Sequence, residues 1–221
     1  MRLSSKRLRF SFGGVSTGSH EAIRAAEERA VRRDLNTEEL QLAGVLLQSV
    51  EKPAGIPILL FASLADSVGA SNSVRRVTEA IREVRRGRVA LVQLTANGDA
   101  WEQSAALDIP ELAELRNWIA TGTETASEIR WRDSAVESRG LVPTTEVREL
   151  FDRLIRCFDV ICVDGGDVFA SPNAVSAAPH CSGVVLMVQR DISTTRDVER
   201  CQNLMFHAGA KVLGFAFTEQ E

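Results

Sequence analysis

Gly69 and Ser71 close a segment, Ser63-Leu64-Ala65-Asp66-Ser67-Val68-Gly69-Ala70-Ser71, that stands where a phosphate-binding loop would stand, between an apolar run and a helix-periodic stretch. In a working loop of the form G-x-x-x-x-G-K-[ST], the glycines let backbone N–H groups curl around the phosphates. The lysine reaches the terminal phosphates and the hydroxyl residue holds Mg²⁺. Here Leu64 takes the first glycine position, Ala70 takes the lysine position, and Asp66 puts a carboxylate inside the would-be anion cradle. Each close charge contact is worth roughly a few kcal/mol in a partly desolvated loop. The dipole and free N–H groups of the following helix contribute only ~0.3–1 kcal/mol. Tight ATP binding is therefore not expected.

Asp164 is the second residue of interest. It ends the run Phe158-Asp159-Val160-Ile161-Cys162-Val163-Asp164, an apolar strand closing on a carboxylate in the manner of a Walker B element. Gly69, Ser71 and Asp164 are the residues that would form a vestigial nucleotide site. No catalytic residue, metal centre or cofactor is expected, with ATP and Mg²⁺ at most weak ligands. Asp164, Asp167 and Asp191 are expected near the carboxyl edge of a sheet, where ligands of such folds bind. Cys157, Cys162, Cys181 and Cys201 form no C-x-x-C pair and read as structural thiols of a reducing compartment. His20, His180 and His207 show no triad or two-His-carboxylate spacing. Arg75, Arg76, Arg82, Arg85, Arg86 and Arg88 are interleaved with Glu79 and Glu83, which reads as a salt-bridged helix face rather than a nucleic-acid surface.

The elements that position these residues follow from periodicity. Ile56 to Ala62 is a short apolar run of the buried parallel type, and Val74, Val77, Ile81 and Val84 recur at helical spacing after the loop. Arg88 to Leu94 reads as a strand closed by the turn Thr95–Asp99, and Pro110 opens a helix from Glu111 to Ala120. The polar stretch Thr121–Val142 reads as a long loop. A helix from Thr144, the strand ending in Asp164, a strand from Gly183 to Val188, a helix from Thr194 to Ala208 and a strand from Lys211 to Phe217 complete the series. Alternating apolar strands and helices predict an α/β fold, a doubly wound, mainly parallel sheet flanked by helices, and the position of the degenerate loop between its first strand and helix makes the expected fold P-loop NTPase-like. Before it, residues 1–20 read as a basic tail carrying Arg2, Lys6, Arg7 and Arg9, and residues 21–55 as two helices, the second capped at Asn36 or Thr37. Residues 56–221 form the main domain.

Bulk properties agree with one α/β unit. The chain has 221 residues, 44% of them hydrophobic, with a formal net charge of −4, and offers no general attraction to nucleic acid. No apolar run reaches the ~18–20 residues that span a bilayer, so a cytoplasmic location is expected. There is no tyrosine.

The order of these elements, with the wording of the last third, resembles the cytoplasmic domain of bacterial tyrosine autokinases of capsule and exopolysaccharide synthesis, within the MinD/ParA-like group of P-loop ATPases. The likeness is carried by Phe-Asp-Val-Ile-Cys-Val-Asp164, Val184-Val185-Leu186-Met187-Val188, Ser193-Thr194-Thr195-Arg196-Asp197-Val198 and Ala208-Gly209-Ala210-Lys211-Val212-Leu213-Gly214. It covers roughly residues 56 to 217. By that resemblance, Ala70 stands for the phosphate-loop lysine and Ser71 for the Mg²⁺ ligand. Gln93-Leu94-Thr95 stands for the family's Asp-x-Asp, and Gly165-Gly166-Asp167 for the Thr-Pro-Pro after the Walker B aspartate. The family's tyrosine-rich tail has no counterpart in these residues.

The resemblance implies a catalytically impaired subunit that regulates or scaffolds exopolysaccharide export. It would act in trans with a membrane-embedded co-polymerase or chain-length determinant, be recruited by it to the inner membrane, and assemble as a homo-oligomer. The helices before the first core strand are the expected contact region. The alternative is a weakly active MinD/ParA-like ATPase using Ser71 and Asp164.

Overall fold

The computed structural model describes residues 35–50, 55–65, 68–94, 127–130 and 144–218, all within the compact unit Leu35–Glu221. The expected tail 1–20, the helix from Glu21, the turn Thr95–Asp99, the helix Glu111–Ala120 and the side chain of Asp66 lie outside the described residues.

In chain order the elements are α1 (Thr37–Val50), β1 (Ile58–Ser63), α2 (Val68–Arg85), β2 (Val89–Gln93), β3 (Ser127–Arg130), α3 (Thr144–Leu154) and β4 (Val160–Asp167). There follow α4 (Asn173–Ala177), a 3₁₀ turn at Ala178–His180, β5 (Gly183–Gln189), α5 (Thr195–His207) and β6 (Val212–Thr218). The six described strands form one sheet in the order β3-β2-β4-β1-β5-β6, and each of their pairings is parallel. Every residue of β1, β2 and β5 is buried, because helices cover both faces of a parallel sheet and leave no strand a wet side.

Two apolar layers result. On one face Leu60, Val163 and Leu186 pack with Leu150, Phe151 and Leu154 of α3 and Met205 of α5. On the other, Leu59, Phe61, Cys162 and Met187 pack with Val74, Val77 and Ile81 of α2 and with Ala43, Leu46, Leu47 and Val50 of α1. Helix α1 thus packs its apolar stripe into the second layer. Its first turn is closed reciprocally: the Glu39 N–H donates to Asn36 Oδ1 at 2.8 Å and the Asn36 N–H to Glu39 Oε2 at 2.9 Å. That is a capping box built on asparagine. Thr194 and Asp197 form another at the start of α5.

Two features depart from the sequence expectation. The stretch read as a loop from Thr121 to Val142 contains β3, which pairs Ala90↔Ser127 through Gln93↔Arg130 with β2. Ser-Glu-Ile-Arg carries one large apolar residue, and an edge strand does not need the continuous apolar run of a central one. Strand β4 also runs past Asp164 through Gly165-Gly166-Asp167, with a register shift against β1 between Phe61 and Ser63. Gly166 sits at φ +65° there, a conformation that glycine adopts without a Cβ penalty. A Cβ on Gly165 would stand 2.7 Å from Ala174 Cβ and 3.2 Å from Phe61 O. The glycine lets α4 settle on the strand.

Candidate functional site at the carboxyl edge of the sheet

Five strands end on the same polar step. On the face covered by α1 and α2, β1 presents Leu59 and Phe61, β2 Val89 and Leu91, β4 Val160 and Cys162, β5 Val185 and Met187, and β6 Ala216. The next position on that face is Ser63, Gln93, Asp164, Gln189 and Thr218 respectively, and each of the five is 2–6% exposed. The alternation of a strand places them there. Together they form a buried polar row at the carboxyl edge, one carboxylate among two amides and two hydroxyls, with no cation.

Gln93 and Asp164 are register partners on adjacent strands. Asp164 Oδ1 accepts the Gly166 N–H at 3.1 Å, and the Asp164 carbonyl accepts the Leu94 N–H at 2.9 Å. The Oε1 atoms of Gln93 and Gln189 are buried without a hydrogen-bond partner among the described residues, an arrangement that costs free energy unless a donor arrives.

The loop geometry is set by the strand it leaves. The Leu64 N–H donates to the Met187 carbonyl at 3.2 Å and the Val168 N–H to the Ser63 carbonyl at 3.0 Å, so the sheet ladder continues into the loop. The Ser63 hydroxyl donates to the Ala65 carbonyl at 2.6 Å. Leu64 is buried in the layer of α3 and α5. Helix α2 opens at Val68, which puts Gly69, Ala70 and Ser71 in its first turn. Ala70 is 4% exposed.

Asp164 aligns with Phe61, on the α2 side, and after the register shift Asp167 aligns with Ser63. Asp167 Oδ1 accepts the Phe169 N–H at 2.8 Å, and its charge reaches the Cys201 thiol on α5. Asp191 is exposed in the turn after β5 at φ +66°.

Burial pushes the Cys162 thiol up to about 12, against a hydrogen bond with Thr78. Burial, aided by Asp167, pushes Cys201 up to about 11, and burial raises Cys181 as well. All four cysteines are free thiols, and the three raised ones are poor nucleophiles and poor metal ligands near neutral pH. Among the described residues no three His, Cys, Asp or Glu side chains gather as a metal site.

The arginines on α2 and in the turn after it are salt-bridged in part. Arg76 Nε lies 2.5 Å from Glu39 Oε1, Arg82 Nε 3.1 Å from Glu79 Oε2, and Arg88 Nη2 3.3 Å from Asp159 Oδ1. The buried polar row is the feature that sequence reasoning missed. Its signal was available as a polar residue closing each apolar run, but only register shows that the five share one face.

No protein-family model matches the sequence, and no curated protein matches it. Solved structures do. The chain is similar to the kinase domain of the Escherichia coli tyrosine kinase ETK, at 12% identity over 76% of this chain and 69% of that one, with a TM-score of 0.56. It is similar to the VpsO kinase domain at 13% identity over 92% and 99%, TM-score 0.59. A ParA family ATPase from Chlorobium tepidum TLS matches at 14% identity over 75% and 74%, TM-score 0.52. At these identities the likeness is one of fold, and the chain has the doubly wound P-loop NTPase architecture shared by these tyrosine kinase domains and the ParA family ATPase.

Proposed function

We propose that this chain is a member of the bacterial tyrosine autokinase family of polysaccharide synthesis whose nucleotide site is disabled. In this reading it serves as a regulatory or scaffolding subunit for exopolysaccharide or capsule export, acting in trans with a membrane-embedded chain-length determinant. What supports the reading is the state of the loop. Leu64 holds the first-glycine position in the β1–β5 ladder and buries its side chain, and the lysine position is a buried alanine.

A magnesium–triphosphate does not fit these residues. Phosphoryl transfer rests on positioning and charge stabilisation, and here the amide of residue 64 is spent on the sheet. Neither the loop residues described nor the polar row supplies a cation, and Asp164 stands beside Gln93 instead of a second carboxylate. No reaction step is therefore assigned. The role left to the domain is binding, with α1 and its exposed Val45 on one flank.

The test is a thermal melt of the full chain with ATP and Mg²⁺. A ligand at 100 times its Kd would add ~2.7 kcal/mol, and the expected result is no shift. A Mg²⁺-dependent rise would favour the weakly active MinD/ParA-like ATPase, in which Gly69, Ser71 and Asp164 hold the nucleotide. A pull-down against the cytoplasmic tail of a chain-length determinant tests the partner, and absence of capture by folded protein would sink the scaffolding role.

A further inference from the structure

The amino edge of the sheet, opposite the loop, gathers arginines from two separate turns. Strand β2 follows Arg85, Arg86 and Arg88, and strand β4 follows Arg153 and Arg156. The two strands are neighbours, paired from Val89↔Val160 onward, and the Asp159 N–H donates to the Arg88 carbonyl at 2.8 Å. The turns therefore lie side by side. All five arginines are exposed.

Among the described residues the acids on these turns and on the last turns of the helices before them are Glu83, Glu149, Asp152 and Asp159. Arg88 engages Asp159 through both its amide and its guanidinium, and Asp152 lies 3.9 Å from Arg148. Arg86, Arg153 and Arg156 have no ion-pair partner among the described residues. Two aliphatic side chains at the same edge are exposed: Val84, next in sequence to Arg85 in the last turn of α2, at 44%, and Ile155, next to Arg156 just after α3, at 36%.

We propose that this amino edge is a membrane-contact surface that takes the anionic headgroups of a lipid bilayer, with Val84 and Ile155 entering the headgroup boundary. Cations with exposed aliphatic side chains on one rim match an interface whose outer layer is anionic and whose next layer is apolar. A purely acidic peptide would satisfy the arginines and leave both aliphatic side chains in water. That difference favours the bilayer.

The test is co-sedimentation of the full chain with vesicles of equal parts phosphatidylglycerol and phosphatidylcholine, against vesicles of phosphatidylcholine alone. Binding is expected to the anionic vesicles only and to weaken with salt, since screening at 0.1 M acts over about 10 Å. Each arginine neutralised should lower the partition coefficient about fivefold, so R86Q with R156Q loses about 25-fold. V84S with I155S should weaken binding while leaving its salt dependence unchanged.

These positions are exposed, and a thermal melt of each variant verifies the fold. Absence of binding to anionic vesicles overturns the proposal. So does binding that R86Q with R156Q leaves intact, which would assign it to the cations near the N-terminus. Loss on arginine replacement with no response to V84S and I155S, together with competition by polyglutamate, would overturn it in favour of an acidic protein partner. The nucleotide reading above is untouched by any of these results.

Discussion

An ammonium placed at position 70 would enter a buried site, because Ala70 is 4% exposed in the first turn of α2. Ala70→Lys is expected to destabilise the protein by on the order of 2 kcal/mol, the cost of burying a charge without a built partner. In a domain of this size that lowers Tm by roughly 4–8 °C. A thermal melt checks it, and no gain of stability with ATP and Mg²⁺ should accompany the loss.

Asp159 offers a pH-dependent test at the same scale. Partial burial pushes its carboxyl up, but hydrogen bonds from the Arg88 amide and guanidinium and the charges of Arg88 and Arg85 outweigh that and hold it below the usual carboxylate range. A carboxyl depressed in the folded state contributes stability that is fully present above its unfolded value, about 3.9. The contribution is lost as pH falls through the lower folded value. Asp159→Asn should therefore lower stability at neutral pH and flatten the acid limb below about pH 4. The side chain is 42% exposed, so the effect should stay within ~1 kcal/mol. Urea titrations at pH 7 and pH 3 measure it.

At the scale of elements, the approach of α4 to β4 depends on a missing methyl. Gly165→Ala places a Cβ 2.7 Å from Ala174 Cβ and 3.0 Å from Leu60 Cδ1, and overpacking of this kind costs about 1–3 kcal/mol. The double variant Gly165→Ala with Ala174→Gly should recover part of that loss, since it removes the closest contact. A denaturant series on both proteins decides it. Of the Gly-Gly that stands where the family resemblance places Thr-Pro-Pro, Gly165 thus has a packing reason in this chain and Gly166 a backbone one, its φ of +65°.

The α5 cap is simpler. Thr194 accepts the Asp197 N–H and Asp197 bonds back to the Thr194 N–H, so Thr194→Ala should cost about 1 kcal/mol. The hydrogen bond from the Thr194 side chain, then that from its backbone, lowers the Asp197 carboxyl below its usual range, and acid titration should loosen this cap.

At the scale of the whole molecule, β1 lies centrally, paired with β4 on one side and β5 on the other. Phe61 within it is fully buried among the α1 and α2 side chains. Phe61→Ala is expected to cost about 3–5 kcal/mol, transfer and cavity terms together. A chemical-denaturation midpoint checks the magnitude. The thiols report the same core: Cys162 and Cys201 should resist a thiol reagent until the protein unfolds, because burial holds both as neutral thiols.

The strands β1, β2, β4 and β5 were legible from sequence, since a strand buried on both faces must be apolar along its length, and runs this short are better strands than buried helices. The amphipathic helices, and a cap at Asn36 or Thr37 that the structure resolves to Asn36, were legible for the same reason: the signal is local. Strand β3 was not, because an edge strand is held by its ladder to β2 and not by its own composition. Short α4 was not, because its place depends on Gly165 of another element.

The loop shows the division most plainly. That it lacks the lysine and the first glycine is a fact of residue type, present in Leu64 and Ala70 before any fold is known. That Leu64 is spent on the sheet and Ala70 is buried, and that Ser63, Gln93, Asp164, Gln189 and Thr218 share one buried row, was decided by tertiary structure. Residue type sets what chemistry a position can do. Strand register and helix docking decide which positions meet, and those depend on residues far away in the chain.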